Sequence, residues 1–254
     1  MKARYSPIAP IHLLQQLYNK GALGDYLLLL AHDVLARPEE YEALVAVLRD
    51  DDKEPFIIMD NSVVELGHPM VADDVIEAAC VVEASCIMTP DVLGNFSATQ
   101  TLVMQEAEEL KQCGFPLMRV PQGQTQEEIF QCIEWLDDYV QSRFAHENYW
   151  AIPRWVTNNF GTREGVISFI NRTQEDPKIH LLGMSKNIID DLYCTTLPNV
   201  IGMDSANPLV MGQFGQDITQ ALYAHWQRGE YWDHPTVSNW AIKNVEYMHQ
   251  HVGV

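Results

Sequence analysis

The chain has 254 residues, 47% of them hydrophobic and 20% charged, with a formal net charge of −19. That length suits one (β/α)₈ barrel with a large core, and the mix of apolar and charged residues excludes disordered and fibrous classes. Such acidity repels phosphate backbones at long range, which argues against nucleic-acid binding by the whole surface while leaving room for a local basic groove.

Arg4 to Ala9 reads as a first strand, and Ile11 to Asn19 has helical periodicity closed by Gly21. Tyr26 to Ala31 is continuously apolar, as a strand covered on both faces should be, and Pro38 to Leu48 is an amphipathic helix with Glu39 and Glu40 in its first turn. Asp50 to Glu54 is a solvated acidic loop before a third strand, Phe56 to Met59. A helix over Asp73 to Val82 leads to a strand at Cys86 to Met88, and Ser97 to Cys113 reads as one long helix stopped by Gly114. Leu117 to Val120 is the next strand, after which Thr125 and Glu128 form a capping box. The strand Tyr149 to Ile152, the helix Thr162 to Asn171, the strand Ile179 to Leu182 and the helix Asn187 to Cys194 continue the alternation. The strand Val200 to Met203 then delivers Asp204 onto a turn marked by Ser205, Asn207 and Pro208.

Eight strands separated by helices imply a parallel sheet, whose natural closure is a single-domain α/β TIM barrel over about residues 1–210. A C-terminal helical segment, 211–254, follows, with helices at Ile218 to Trp226 and Trp240 to His251 joined through Trp232-Asp-His-Pro235. The five cysteines, Cys80, Cys86, Cys113, Cys132 and Cys194, are odd in number and form no CxxC pair, so they read as reduced thiols. Met1 to Tyr5 lacks the apolar core of a signal peptide, and no apolar run reaches the ~18 residues of a membrane span. A cytoplasmic protein is expected.

In a barrel the loops after the strands line one mouth, so Asp60, Asp91, Gln122, Arg154 and Asp204 are expected to converge although no two are neighbours in sequence. Any one of them alone is as well explained as a turn former. Two acids in such a mouth can divide the work of nucleophile and acid/base, because different environments separate their pKa values. Arg119, Arg154, Arg163, Arg172 and Lys186 are candidates for a phosphate-holding patch, or else scattered solvated charges. Trp150 and Trp155, beside Arg154, are either a stacking platform or core.

The blocks Asp60-Asn-Ser with Glu65-Leu-Gly67, then Thr89-Pro-Asp91, Val120-Pro-Gln-Gly123, His180-Leu-Leu-Gly183 and Met203-Asp-Ser205 resemble, in that order, the guanine transglycosylases. These are barrel enzymes that exchange guanine for a 7-deazaguanine base. The likeness spans roughly residues 55–210 and is greatest to the compact phage and bacterial branch, the 7-deazaguanine DNA transglycosylases. It implies that Asp204 is the nucleophile attacking the sugar C1′, and that Asp60 is the acid/base that protonates the leaving base and deprotonates the incoming one. Asp91 would accept hydrogen bonds from the Watson–Crick edge, and Gln122 with Gly123 would read the carbonyl side. Arg154, Gly183 and Met184 are expected to complete the base site, and of the phosphate-patch candidates Arg163 and Lys186 are the ones expected to reach the nucleic acid.

Several positions depart from the family pattern. The tRNA-acting members carry a zinc site with three cysteines and a histidine, whereas no cysteine follows Cys194 here, and His225, His234, His249 and His251 have no thiolate partners. No metal or other cofactor is expected. Val63 and Val64 stand where the family has a base-sandwiching aromatic residue, so that either Met184 or Phe96 stacks on the base or the stacking is weaker. The expected substrates are DNA, with its target base flipped or single-stranded, and a free 7-deazaguanine in its 7-cyano or 7-aminomethyl form. With so acidic a chain, DNA affinity should be modest and salt-sensitive, or helped by a partner protein. A tRNA-guanine transglycosylase and a catalytically silent, base-binding subunit are the rival readings, and two carboxylates alone would also suit a glycoside hydrolase.

Overall fold

The apolar runs are three to six residues long, most with Gly, Pro, Asp or Asn close to their ends, which is long enough to cross one core layer and too short to go further. In the computed structural model, which describes residues 2–51, 54–144, 147–185, 187–220 and 232–254, they form β1 (Arg4–Pro7), β2 (Tyr26–Leu30), β3 (Phe56–Asp60), β4 (Cys86–Met88), β5 (Leu117–Arg119), β6 (Tyr149–Pro153), β7 (Lys178–Leu182) and β8 (Val200–Ser205). All are parallel, and the sheet order β1-β8-β7-β6-β5-β4-β3-β2 wraps the chain into a TIM barrel. At the β1–β2 seam a side chain makes the join, with Leu28 N–H donating to Ser6 Oγ at 2.7 Å.

Alternation along each strand sorts the side chains. Leu27 and Leu29 of β2 face the helices, while Tyr26, Leu28 and Leu30 face the barrel axis with Ile58, Met118 and Val120. Each aliphatic side chain so buried contributes about 1.5–3 kcal/mol. The outer layer comprises α1 (Ile11–Asn19), α2 (Ala31–Ala36), α3 (Pro38–Asp50), α4 (Val63–Leu66), α5 (Ala72–Val82), α6 (Phe96–Gln105), α7 (Ala107–Gln112), α8 (Gln126–Phe144), α9 (Val156–Phe160), α10 (Glu164–Thr173), α11 (Ile188–Cys194), α12 (Asn207–Gln213) and α13 (Asn239–His251). The capping box at the start of α8 forms, with Glu128 N–H donating to Thr125 Oγ1 at 3.2 Å and Thr125 N–H to Glu128 Oε2 at 3.3 Å. Among the described residues no helix is long and apolar enough to cross a membrane.

Three elements differ from the sequence reading. The helix expected over Ser97 to Cys113 breaks at Glu106, whose carboxylate instead accepts the Ala72 N–H at the start of α5 (3.0 Å). The turn expected after Asp204 runs straight into α12, because Pro208 fits a first helical turn, where its missing N–H costs nothing. Of the helix expected at Ile218 to Trp226, residues 218–220 form a turn and 221–226 lie outside the described residues. α13 packs closely on α12, where a Cβ on Gly212 would lie 2.2 Å from the Ala241 backbone, and its Val245 and Met248 join the barrel's outer core.

Candidate active site at the barrel mouth

All eight strand ends contribute to a cavity of about 520 Å³, from Ile8 after β1 round to Asp204 on β8, with Trp232 added from the C-terminal segment. Leu28, Leu30, Met88, Val120 and Leu182 give it apolar walls. Against these stand the carboxylates of Asp60, Glu65, Asp91 and Asp204, and among the described residues Arg154 is the one cation in the lining. An apolar cavity with a few convergent polar groups is the usual form of a small-molecule site.

Two nitrogens meet one oxygen of Asp204. His180 Nε2 lies 2.9 Å from Oδ1, and Gly183 N–H donates to the same atom at 3.0 Å. Gly183 turns its amide inward with φ +63°, a left-handed conformation that side chains rarely adopt, and the Arg154 stem packs over the bare Cα. Both bonds ending on Oδ1 leave Oδ2 for a reacting atom in the cavity.

Asp60 has a different environment. Ser62, itself at φ +60°, donates its N–H to Asp60 Oδ1 at 2.7 Å. Burial raises the Asp60 carboxyl pKa well above the ordinary range, with the negative charges of Glu65, Asp204 and Asp91 adding to the effect and the Ser62 bond opposing it. Folding therefore favours the protonated carboxyl, a contribution complete below the ordinary carboxylate range and lost as pH rises through the raised folded-state value. Asp60→Asn, which keeps an acceptor for Ser62, should melt above the wild type at about pH 8 and level with it near about pH 4. At this chain length each 1 kcal/mol recovered is worth about 2–4 °C. Calorimetry at the two pH values checks it, and a lower melting temperature for the variant at the alkaline pH would refute the assignment.

Asp91 is held from both sides. Asn61 Nδ2 donates to Oδ1 at 2.7 Å and Gln122 Nε2 to Oδ2 at 2.5 Å, while the Gln122 carbonyl accepts from Gly94 N–H (2.8 Å) and Trp155 Nε1 (3.0 Å). Burial raises the Asp91 pKa to about 6, with the two amide donors opposing the rise. Each carboxylate oxygen keeps a second lone pair, so Asp91 can still accept two ligand N–H groups.

The structure thus brings Asp60, Asp91, Gln122, Arg154, Gly183, Met184 and Asp204 to one cavity. Gly123 is not among the lining residues: a Cβ there would lie 2.7 Å from Glu128 Cβ, so it serves the close packing of its loop on α8. Arg163 is fully buried, donating to the carbonyls of Ile152 (3.3 Å) and Gly183 and pairing with Asp191 at 3.2 Å, so it is not a phosphate contact. Arg119 is likewise buried, against Asn148, Asp137 and Trp150 on the outer side of the sheet, which places Trp150 in the core. Arg172 sits near the C-terminal end of α10, where its neighbour Asn171 bonds to Pro198 and Asn199 just before β8, at the far end of the barrel. Lys186 and His225 lie outside the described residues. Phe96 packs on Trp135 in the helical layer, leaving Trp155 and Trp232 as the aromatic side chains among the described lining residues, with Met184 also in the lining.

The sequence motifs contain Asn61, His180 and Trp232 but pointed to no site role for any of them. Asn61 ties β3 to β4 by donating to Thr89 O (3.0 Å) and to Asp91. A histidine inside an apolar strand was the available signal for His180, since its ring nitrogens need partners once buried. Trp232 had no signal. Among the described residues no group of three or more His, Cys, Asp or Glu is arranged to hold a metal ion. No protein-family model and no curated protein matches the chain.

Proposed function

We propose that the barrel mouth is a base-exchange site of the guanine-transglycosylase type, replacing guanine in DNA with a 7-deazaguanine base. The observation that carries this reading is the pairing of unlike carboxylates in one cavity: Asp204 with His180 Nε2 and the Gly183 N–H against a single oxygen, and Asp60 with its pKa raised chiefly by burial. A third acid, Asp91, is fixed between two amides with acceptor capacity to spare.

In the first half-reaction Asp204 Oδ2 bonds to C1′, the C1′–N9 bond breaks with its electron pair going to guanine, and Asp60 supplies the proton that guanine takes up. In the second, the incoming base loses a proton to the Asp60 carboxylate, its N9 bonds to C1′, and the electron pair of the C1′–Oδ2 bond returns to Asp204. Asp91 reads N1–H and the exocyclic amine of guanine-like bases; adenine lacks that donor pair and would leave the buried acceptor unsatisfied. Arg154 at the rim is placed to meet a phosphate or the base carbonyl.

An exchange assay tests this, with labelled guanine in duplex DNA, single-stranded DNA and tRNA, and 7-cyano- and 7-aminomethyl-7-deazaguanine as acceptors. Label loss from DNA that requires an added deazaguanine supports the proposal. Loss from tRNA alone moves the assignment to the tRNA enzymes, and no loss from any substrate moves it to a base-binding subunit. The pH profile adds a second check. Because Asp91 must be ionised to accept both N–H groups, base KM should rise as pH falls below about 6. A KM that stays flat down to about pH 5 would remove Asp91 from base recognition.

A further inference from the structure

A hydrogen-bonded line runs from Asp204 down the barrel axis. His180 Nε2 lies 2.9 Å from Asp204 Oδ1, and His180 Nδ1 lies 2.8 Å from the Tyr26 hydroxyl. His180 and Tyr26 are fully buried. Tyr26 reaches across only because β8 carries Gly202 at this level, where a Cβ would lie 2.4 Å from the phenol ring. The Arg4 guanidinium 4.7 Å from the Tyr26 ring centre, and Phe56 stacked on it at 5.5 Å, hold the ring in place. Burial pushes the Tyr26 phenol well above its ordinary pKa, so it remains an O–H donor. Because the Asp204 carboxylate oxygen can only accept, the neutral His180 tautomer that satisfies both partners carries its proton on Nε2 and accepts from the Tyr26 hydroxyl at Nδ1.

We infer that His180, locked by Tyr26, is a positioning residue that acts through Asp204 on the lifetime of the covalent intermediate. This inference rests on the base-exchange reading. In the free enzyme two N–H groups stabilise a carboxylate oxygen; once Oδ2 bonds to C1′, Oδ1 becomes an ester carbonyl and a weaker acceptor. The donors therefore favour the free carboxylate over the ester and make Asp204 a better leaving group when the incoming base attacks. His180 gives up no proton in either half-reaction.

The test uses wild type, His180→Leu, His180→Gln and Tyr26→Phe. Each is incubated with guanine-containing oligonucleotides at several concentrations of free guanine, and the enzyme–oligonucleotide adduct that survives denaturant is measured. The ratio of adduct to free enzyme should rise on the order of 10–100-fold in His180→Leu, the worth of one hydrogen bond to a charged group. His180→Gln, whose amide N–H can replace Nε2–H, should stay within about threefold of wild type. A merely structural role would misplace Asp204 and lower the adduct, so a fall or no change in His180→Leu overturns the inference. If that variant does not fold, Tyr26→Phe carries the same test, with a rise of about 3–10-fold expected and a fall or no change again overturning it. Nitrogen-15 NMR of the unliganded wild type should show the Nε2–H tautomer, and the Nδ1–H tautomer would also overturn it. Adduct in the wild type with no rise in the variants defeats this inference alone. No adduct in the wild type on any nucleic acid defeats the base-exchange reading and takes this inference with it.

Discussion

Asp204→Asn is expected to abolish base exchange, with a loss on the order of 10⁴–10⁶-fold, the scale on which nucleophile removal acts in enzymes that work through a covalent intermediate. The substitution is nearly isosteric and retains an oxygen that can accept from His180 Nε2–H and Gly183 N–H. Its melting temperature should therefore stay within a few degrees of the wild type, which separates lost chemistry from lost fold. Loss of adduct and of label release together, measured on the folded variant, is the expected result. Exchange retained within about tenfold would mean that Asp204 binds substrate rather than attacks it.

The second large effect is expected from Arg163→Met, which leaves Asp191 as a buried, unpaired acid. Both side chains of the pair are almost completely buried, 0% and 1% exposed, and removing one partner of such a pair costs about 3–5 kcal/mol. Burial pulls the Arg163 pKa down and pushes that of Asp191 up, and the charge of each partner opposes the shift of the other. The pair also shapes the site. Asp191 accepts Ser185 N–H at 2.6 Å and Arg163 donates to the Gly183 carbonyl, so together they set the turn whose amide meets Asp204. Urea unfolding should show the stability loss, and exchange by the folded fraction should fall about 10²-fold as the Gly183 amide drifts. Arg163→Met combined with Asp191→Asn should lose less than the sum of the single changes. A strictly additive result would show that the two residues act independently.

The misreading of Arg163 has a definite cause. On one sequence, an arginine ten residues after a strand end looks the same whether it reaches for a phosphate or turns back under the loop. What separates the cases is Asp191, 28 positions away, and the Ile152 and Gly183 carbonyls, which become neighbours only once β6, β7 and α11 have packed. Arg119 failed for the same reason. Alternation along β5 turns it outward, away from the mouth, and Asn148 and Asp137 take up its charge.

His180 shows a different limit. It stands inside an apolar strand, so a need for partners was visible, but its role depends on Tyr26 reaching over from β2 and on Gly202 leaving the space. Those three residues lie in separate parts of the chain and meet only across the barrel axis. Asp60, Asp91, Gln122 and Asp204 were legible because each comes within about three residues of the end of a strand run, and in a parallel barrel every such position opens on the same face.

By itself, then, the sequence determined the alternation of strand and helix, the eight-stranded barrel and the acids at its mouth. These depend on apolar spacing, capping residues and turn formers, which act over a few residues at a time. Tertiary structure alone decided which oxygen of Asp204 is occupied, why the Asp60 pKa is raised, which arginines are buried and where the ring behind Asp204 is anchored. Each of those is a matter of desolvation or of a partner brought from a distant strand, and neither exists until the barrel has closed.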